Sequence, residues 1–255
     1  MEEYKTICFL VADILLIAAG TIYGWKFLKK RNYLLGLECW IVAISATNLL
    51  FSALLFSVPG FEGFSLTLYG NAMYLDAFSR AVGIPLIGMA GLMAVTHAYH
   101  PSKTADILWF AGGFAAAGIL IVVAPENRHI LGQFGESALV HAVESIKPWF
   151  YLVMWSLFSC FLLYFAWRLF KVGERLHGWS MLVAMVAGQT IATIYDFFEI
   201  PGDDADQTLF FIAALSTWAF LAMAMYYAYC AIERSKPATT LAKARVGQPY
   251  RTAGS

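Results

Sequence analysis

Seven stretches of this chain are each apolar over roughly twenty residues, the length that a helix needs to cross about 30 Å of hydrocarbon. No other feature restricts the fold as strongly. The stretches run 6–27, 34–57, 77–98, 104–124, 149–171, 179–200 and 208–232. Water is absent from a bilayer core, so a spanning backbone must pair its own N–H and C=O groups, and each stretch is read as a helix. The breaks fall at Lys29-Lys30-Arg31-Asn32, Pro59-Gly60, Pro101-Ser102-Lys103, Pro125-Glu126-Asn127 and Pro201-Gly202-Asp203-Asp204, which are turn-forming or charged clusters. The spacing therefore predicts an all-α membrane protein, a seven-transmembrane-helix bundle over residues 1–234, with a cytoplasmic tail over 235–255.

Composition supports this and excludes other classes. Apolar residues make up 60% of the 255 positions and charged residues only 13%, against about a quarter charged in soluble domains. Mean hydropathy is +0.65. The 17 Lys and Arg balance the 17 Asp and Glu, so the chain is neither a strongly basic nucleic-acid binder nor an acidic solvating segment.

Charge position then sets orientation, because short loops rich in Lys and Arg remain in the cytoplasm. Of the 17 basic residues all but Lys5, Arg80, Arg128 and Lys147 fall on one side of the expected spans, at Lys26 to Arg31, Lys103, Arg168 to Arg175 and from Arg234 onward. The N-terminus is expected outside and the C-terminus inside, in a multi-pass protein of the inner (cytoplasmic) membrane. No basic segment with a cleavage site precedes residue 6, so the first span is expected to be retained. Residues Ser235 to Ser255 have no apolar period and are expected to be disordered. Ile130, Leu131, Phe134, Leu139, Val143 and Ile146 recur at near-helical spacing, which predicts a short amphipathic helix on the outer surface before the fifth span.

Polar residues inside spans cost at least a few kcal/mol unless they face the interior and find partners. In the second span Glu38, Ser45, Asn48 and Ser52 share one face; in the third Asp76, Arg80 and Gly83 share another; in the sixth Gln189, Thr193, Asp196 and Glu199 do so. Asp13 stands alone in the first. One account has Asp13, Asp76, Arg80, Asp196 and Glu199 converging in the outer half of the bundle around a polar cavity. The competing account is structural, with each group in an ion pair or interhelical hydrogen bond worth about 1 kcal/mol or less. Arg80 is the most informative residue, because one guanidinium can organise two carboxylates.

Among aromatics, Trp25, Trp149, Trp167 and Trp179 lie at span ends, as an interfacial belt requires. Trp155, Trp218, Phe78 and Tyr195 lie deeper and are candidates to flank an apolar ligand; core packing is the alternative. His97 and His100 near Asp106, and His141 with Glu144, have weak metal-binding spacing, and no metal is expected. Cys8, Cys39, Cys160 and Cys230 are scattered without paired spacing and are expected to pack as free thiols. Gly112, Gly113, Ala116, Ala117 and Gly118 give the fourth span small-residue faces for close helix contact, within the bundle or in a homo-oligomer. No phosphate loop, nucleophile elbow, zinc motif or haem-attachment motif is present.

Several runs resemble the microbial rhodopsin family of seven-helix retinal proteins. Gly20-Thr21-Ile22-Tyr23 with the basic turn and Tyr33 resembles its first hairpin. Tyr74 to Met89 with Pro85-Leu86 is similar to its third helix, Trp149 to Phe170 to its fifth, and Asp206-Gln207-Thr208-Leu209-Phe210-Phe211 to the start of its seventh. On this register the position of the retinal-binding lysine holds Ala219, the acidic counterion four residues earlier is Leu215, and the primary proton acceptor and its neighbouring tryptophan are Ser79 and Arg80. None of the nine lysines lies deep in a span. The resemblance thus implies a rhodopsin-like scaffold without covalent retinal, binding its ligand noncovalently.

The expectation is a sensor or binder of a small apolar ligand, such as a carotenoid, retinoid, quinone or lipid. Candidate ligand-binding residues are Asp13, Asn48, Asp76, Arg80, Gln189, Tyr195, Asp196 and Trp218. Expected partners are membrane lipids, a second copy of the chain and a cytoplasmic signalling protein, with no nucleic acid. A proton-linked transporter or channel using Glu38, Asn48, Arg80 and Asp196, and a membrane enzyme acting on a lipid or isoprenoid, stand as alternatives.

Overall fold

A computed structural model describes residues 2–97, 102–122, 138–197 and 208–236, and among these the chain is helical with no strand. The helices are α1 (Glu2–Lys29), α2 (Tyr33–Phe56), α3 (Glu62–Thr96), α4 (Lys103–Val122), α5 (Ala138–Lys171), α6 (Arg175–Phe197) and α7 (Thr208–Ser235). Five of them, α1, α2, α3, α5 and α7, are long and apolar enough to cross a membrane.

Two boundaries differ from the sequence reading. The third helix starts at Glu62, fifteen residues before the expected 77, and its 35 residues extend for about 50 Å at 1.5 Å per residue. Gly63, Ser65, Thr67 and Asn71 made this first part look like loop. The helix forms there because polar side chains are paired with the neighbouring helix, as shown below. The separate amphipathic helix before the fifth span is also corrected. From Ala138 the chain is one helix through Lys171, with Pro148 inside it; Ile130, Leu131 and Phe134 lie outside the described residues. The tail beyond Lys236 lies outside them as well.

Local chemistry explains the turns. Arg31 adopts a left-handed backbone, φ 60°, with Arg31 N–H donating to Leu28 O (2.8 Å) and Asn32 N–H to Phe27 O (3.0 Å), which closes α1 as a Schellman motif. Asn32 then caps α2 by accepting from Leu35 N–H (3.2 Å) and donates from Nδ2 to Gly91 O of α3 (2.8 Å). Gly173 closes α5 in the same way, at φ 84°, with Glu174 N–H donating to Leu169 O at 3.0 Å.

The helices pack in a ring. α1 lies against α2 and α7, α3 against α2, α4 and α5, and α6 against α5 and α7. Small residues set the closest approaches. A β-carbon added at Gly20 of α1 would meet the Cys39 carbonyl oxygen of α2 at 2.6 Å, and one at Gly113 of α4 would meet the Phe78 ring of α3 at 2.5 Å. The small face of α4 therefore serves contact within the bundle at Gly113 and Ala117, while nothing lies within 4 Å of Gly112. The main core joins Trp155, Phe158, Leu162 and Phe165 of α5 to Met225 and Tyr229 of α7. Large apolar side chains such as Ile7, Ile14, Leu54, Leu108, Val153, Leu163 and Val183 face outward, an exposed apolar area far beyond single scattered residues.

The basic turns share one end. Lys30, before α2, pairs with Glu233 at the end of α7, and Arg234 pairs with Glu174, between α5 and α6, at 3.4 Å. Lys26 lies over the Tyr23 and Tyr226 rings at 5.1 and 5.2 Å, where the ring faces attract the ammonium.

Candidate functional site

The polar stripe of α2 faces α3 and fixes how the two antiparallel helices register. Ser52 Oγ donates to Ser65 O (2.9 Å) while Ser65 Oγ donates to Ser52 O (2.9 Å). One level further along, Ser45 Oγ donates to Ala72 O at 2.9 Å. At the next level Glu38 lies against Gly83, where a β-carbon would overlap the carboxylate. Asn32, bonded to Gly91 O, completes the series. Three of these four levels are ordinary interhelical hydrogen bonds. The Glu38 level is different, because neither carboxylate oxygen has a hydrogen-bond partner.

Residues Ser79 to Gly88 of α3 are wound as a π-helix with Pro85 inside. Proline has no N–H and its ring crowds the preceding turn, so the wider winding avoids a clash that a regular α-turn would impose. This changes the faces expected from a 3.6-residue period. Gly83 is turned toward Glu38 on α2, whereas the Arg80 guanidinium lies over the Tyr151 ring of α5, 4.4 Å from its centroid. Arg80 also lies 3.8 Å from an Asp76 oxygen one turn earlier. The expected shared face of Asp76, Arg80 and Gly83 is therefore split between two neighbours.

Beside this segment lies a partly open cavity of about 70 Å³, lined by residues of α1, α2, α3, α6 and α7. Its walls are mostly apolar, with Leu16, Leu49, Ile84, Phe211, Leu215 and Trp218 prominent, and the polar side chains on it are Ser45, Asp76, Ser79 and Arg80. Trp218 leans on Trp155 of α5 with ring centroids 4.8 Å apart. Both indoles are accommodated by Gly188, whose absent side chain leaves the Trp155 and Trp218 rings 3.4 and 3.6 Å from the position of a β-carbon.

Of the candidate residues, the structure brings Asp76, Arg80 and Trp218 onto this one cavity. Asp13 is fully buried but does not line the cavity. Asn48 is half-buried on α2 and does not line the cavity. Gln189 is engaged between α5 and α6, accepting from Ser159 Oγ at 2.8 Å, with Thr193 on the same face at 3.4 Å. The side chains of Tyr195 and Asp196, and residues Glu199 and His100, lie outside the described residues. Phe78 packs on Phe114 of α4 at 4.3 Å and does not line the cavity. His97 is held locally by Thr96 Oγ1 at 2.8 Å and stacks on Tyr164. Among the described residues no group of His, Cys, Asp and Glu is placed to hold a metal, and the four cysteines are free thiols. Leu215 forms part of the cavity wall, and Ala219 packs one turn away against the Ala12 and Leu16 layer.

Sequence reasoning missed Ser79 and Gly83 as neighbours of Glu38. The signal was available in Gly83-Ile84-Pro85 and Gly88, a concentration of small and N–H-lacking residues in the middle of an apolar helix. Comparison with known families, with curated proteins and with solved structures returns no match to this chain.

Proposed function

We propose that the chain is a seven-span protein of the inner membrane, N-terminus outside, that binds the end group of an apolar ligand in the core cavity and acts as a sensor of it. The observation that carries the reading is the cavity itself, with apolar walls, a pair of tilted indoles in contact at its side and the Asp76–Arg80 pair on one wall. This combination of apolar walls and a few polar groups is the usual composition of a small-ligand site.

Volume narrows the ligand. A dry cavity of about 150 Å³ holds one benzene, and this one measures about 70 Å³. Among the polyenes, quinones and lipids considered, it fits a methylated chain end or a partly inserted ring and not the whole molecule; the remainder of such a ligand lies between helices. The ring order of helices and the exposed apolar surface support the membrane-embedded, rhodopsin-like scaffold, and Ala219 and Leu215 argue for a noncovalent ligand.

The test is mass spectrometry and absorbance of organic extracts from protein purified in mild detergent. A single apolar species should co-purify with the wild type and be lost, at least tenfold, from Ala214→Trp, which fills the cavity. Retinal added to the wild type should give no borohydride-stable adduct. Equal recovery of bulk lipid from both variants, with no enriched species, refutes the ligand reading.

A further inference from the structure

We propose that Glu38 is a proton-binding site that exchanges with the core cavity through the Ser79 hydroxyl. This rests on the packing between α2 and α3 and stands whether or not the cavity holds an apolar ligand.

Glu38 is 3% exposed, and both its oxygens lack a hydrogen-bond partner. An ionised carboxylate in such a place costs many kcal/mol unless a positive charge compensates it. A bound metal ion requires room for several ligands, but the carboxylate presses directly on Gly83, leaving none between the helices. A proton needs no such volume. Among the described residues Ser79 links the two places: it belongs to the wall of the cavity, and its side chain acts on the Glu38 carboxylate, while its buried Oγ has no hydrogen-bond partner. Protonation then balances simply. A hydronium ion reaching the cavity passes a proton to Ser79 Oγ as the hydroxyl gives its own proton to a Glu38 oxygen, which leaves a water, a neutral serine and a protonated Glu38.

The other titratable groups around Glu38 do not take its place. Cys39 is adjacent on α2 and buried. On α3, Asp76 and Arg80 face each other, with Arg80 over Tyr151 of α5. α1 presents Gly20 and Gly24 to this stretch of α2. The glycine at 83 is what admits the carboxylate, and the π-winding is what turns that glycine toward it.

The experiment is isotope-edited infrared spectroscopy of the full chain in phosphatidylcholine vesicles at neutral pH. A protonated carboxyl stretch should appear, shift on labelling with ¹³C-glutamate, be absent in Glu38→Gln and exchange in D₂O. In Ser79→Ala the band should persist while its exchange slows by roughly tenfold or more, the scale of a lost proton-transfer group. Should Glu38→Gln not fold, Glu38→Asp serves instead, where the band should lose its sensitivity to the glutamate label. A wild-type spectrum with no protonated glutamate band, or a glutamate carboxylate band that moves with sodium concentration, overturns the site; exchange unaffected by Ser79→Ala overturns the route.

Discussion

Replacing Arg80 separates two explanations of why a guanidinium sits inside the bundle. The sequence alone argues for a buried ion pair, for which removing one partner costs about 3–5 kcal/mol. The geometry gives a different partition. Asp76 lies 3.8 Å away, beyond hydrogen-bond distance, and its side chain is 37% exposed, while that of Arg80 is 9% exposed. A partly solvated pair without a hydrogen bond contributes about 1 kcal/mol or less. The Tyr151 ring is fully buried and 4.4 Å from the guanidinium carbon, so this desolvated cation–π contact contributes about 2 kcal/mol. Of the cost of Arg80→Ala, these two contacts contribute about 2–3 kcal/mol, most of it through Tyr151. Double-mutant cycles read by SDS unfolding in mixed micelles measure the two terms separately. The expected coupling is about 1–2 kcal/mol for Arg80→Ala with Tyr151→Leu, and about half that or less for Arg80→Ala with Asp76→Asn. A larger coupling to Asp76 than to Tyr151, or an Arg80→Ala variant as stable as the wild type, refutes the reasoning.

Two further outcomes follow from packing and charge. Gly20→Ala forces a methyl to within 2.6 Å of the Cys39 carbonyl oxygen, so α1 and α2 must separate, at a cost of about 1–3 kcal/mol; Gly112→Ala, with nothing within 4 Å, should leave the melting temperature in detergent unchanged or slightly raised, and equal effects of the two would contradict the close approach. Fusion reporters should place Lys103 and Arg175 in the cytoplasm and Asp204 outside, because the basic turns lie together at one end; a cytoplasmic Asp204 overturns the orientation.

Helices were legible from apolar length, but their extents and faces depended on information that the hydropathy pattern does not carry. Ser65 and Thr67 lowered the apolarity of the start of α3 enough to hide fifteen residues of helix, although Ser65 is buried and paired with Ser52. Hydroxyls satisfied by a neighbouring backbone carbonyl cost little in the interior, and only the neighbour's register reveals which ones are satisfied. Of the stripe Glu38, Ser45, Asn48 and Ser52, all but Asn48 are seen to meet α3, since α2 is regular and its period holds. The stripe of Asp76, Arg80 and Gly83 does not hold to one face, because the π-winding around Pro85 rotates Gly83 away from Arg80. Asp76, Arg80 and Trp218 were candidate residues that do share a cavity, whereas Asn48 and Gln189 are polar residues on regular faces that do not line it.

The register also explains why Asp13 does not meet Arg80. Along α2, contacts with α3 run Ser52 to Ser65, Ser45 to Ala72, Glu38 to Gly83 and Asn32 to Gly91. Arg80 therefore lies between the levels of Ser45 and Glu38, toward the end that carries the basic turns. α1 runs antiparallel to α2 with Gly20 against Cys39 and Ala43, so Asp13, two turns earlier, lies near the level of Leu50. At 1.5 Å per residue this separates Asp13 from Arg80 by roughly 15 Å along the bundle. At that distance even an effective dielectric near 20 leaves only about 1 kcal/mol of attraction, too little to offset burial of either charge. These groups sit at separate levels: Arg80 has Asp76 and Tyr151 among its neighbours, and Glu38 and Asp13 have no hydrogen-bonding side chain among the described residues. Leu16, Leu49, Ile84, Leu215 and Trp218 line the cavity beside the Asp76–Arg80 pair, and because Asp13 and Glu38 are held off its wall the lining stays mostly apolar.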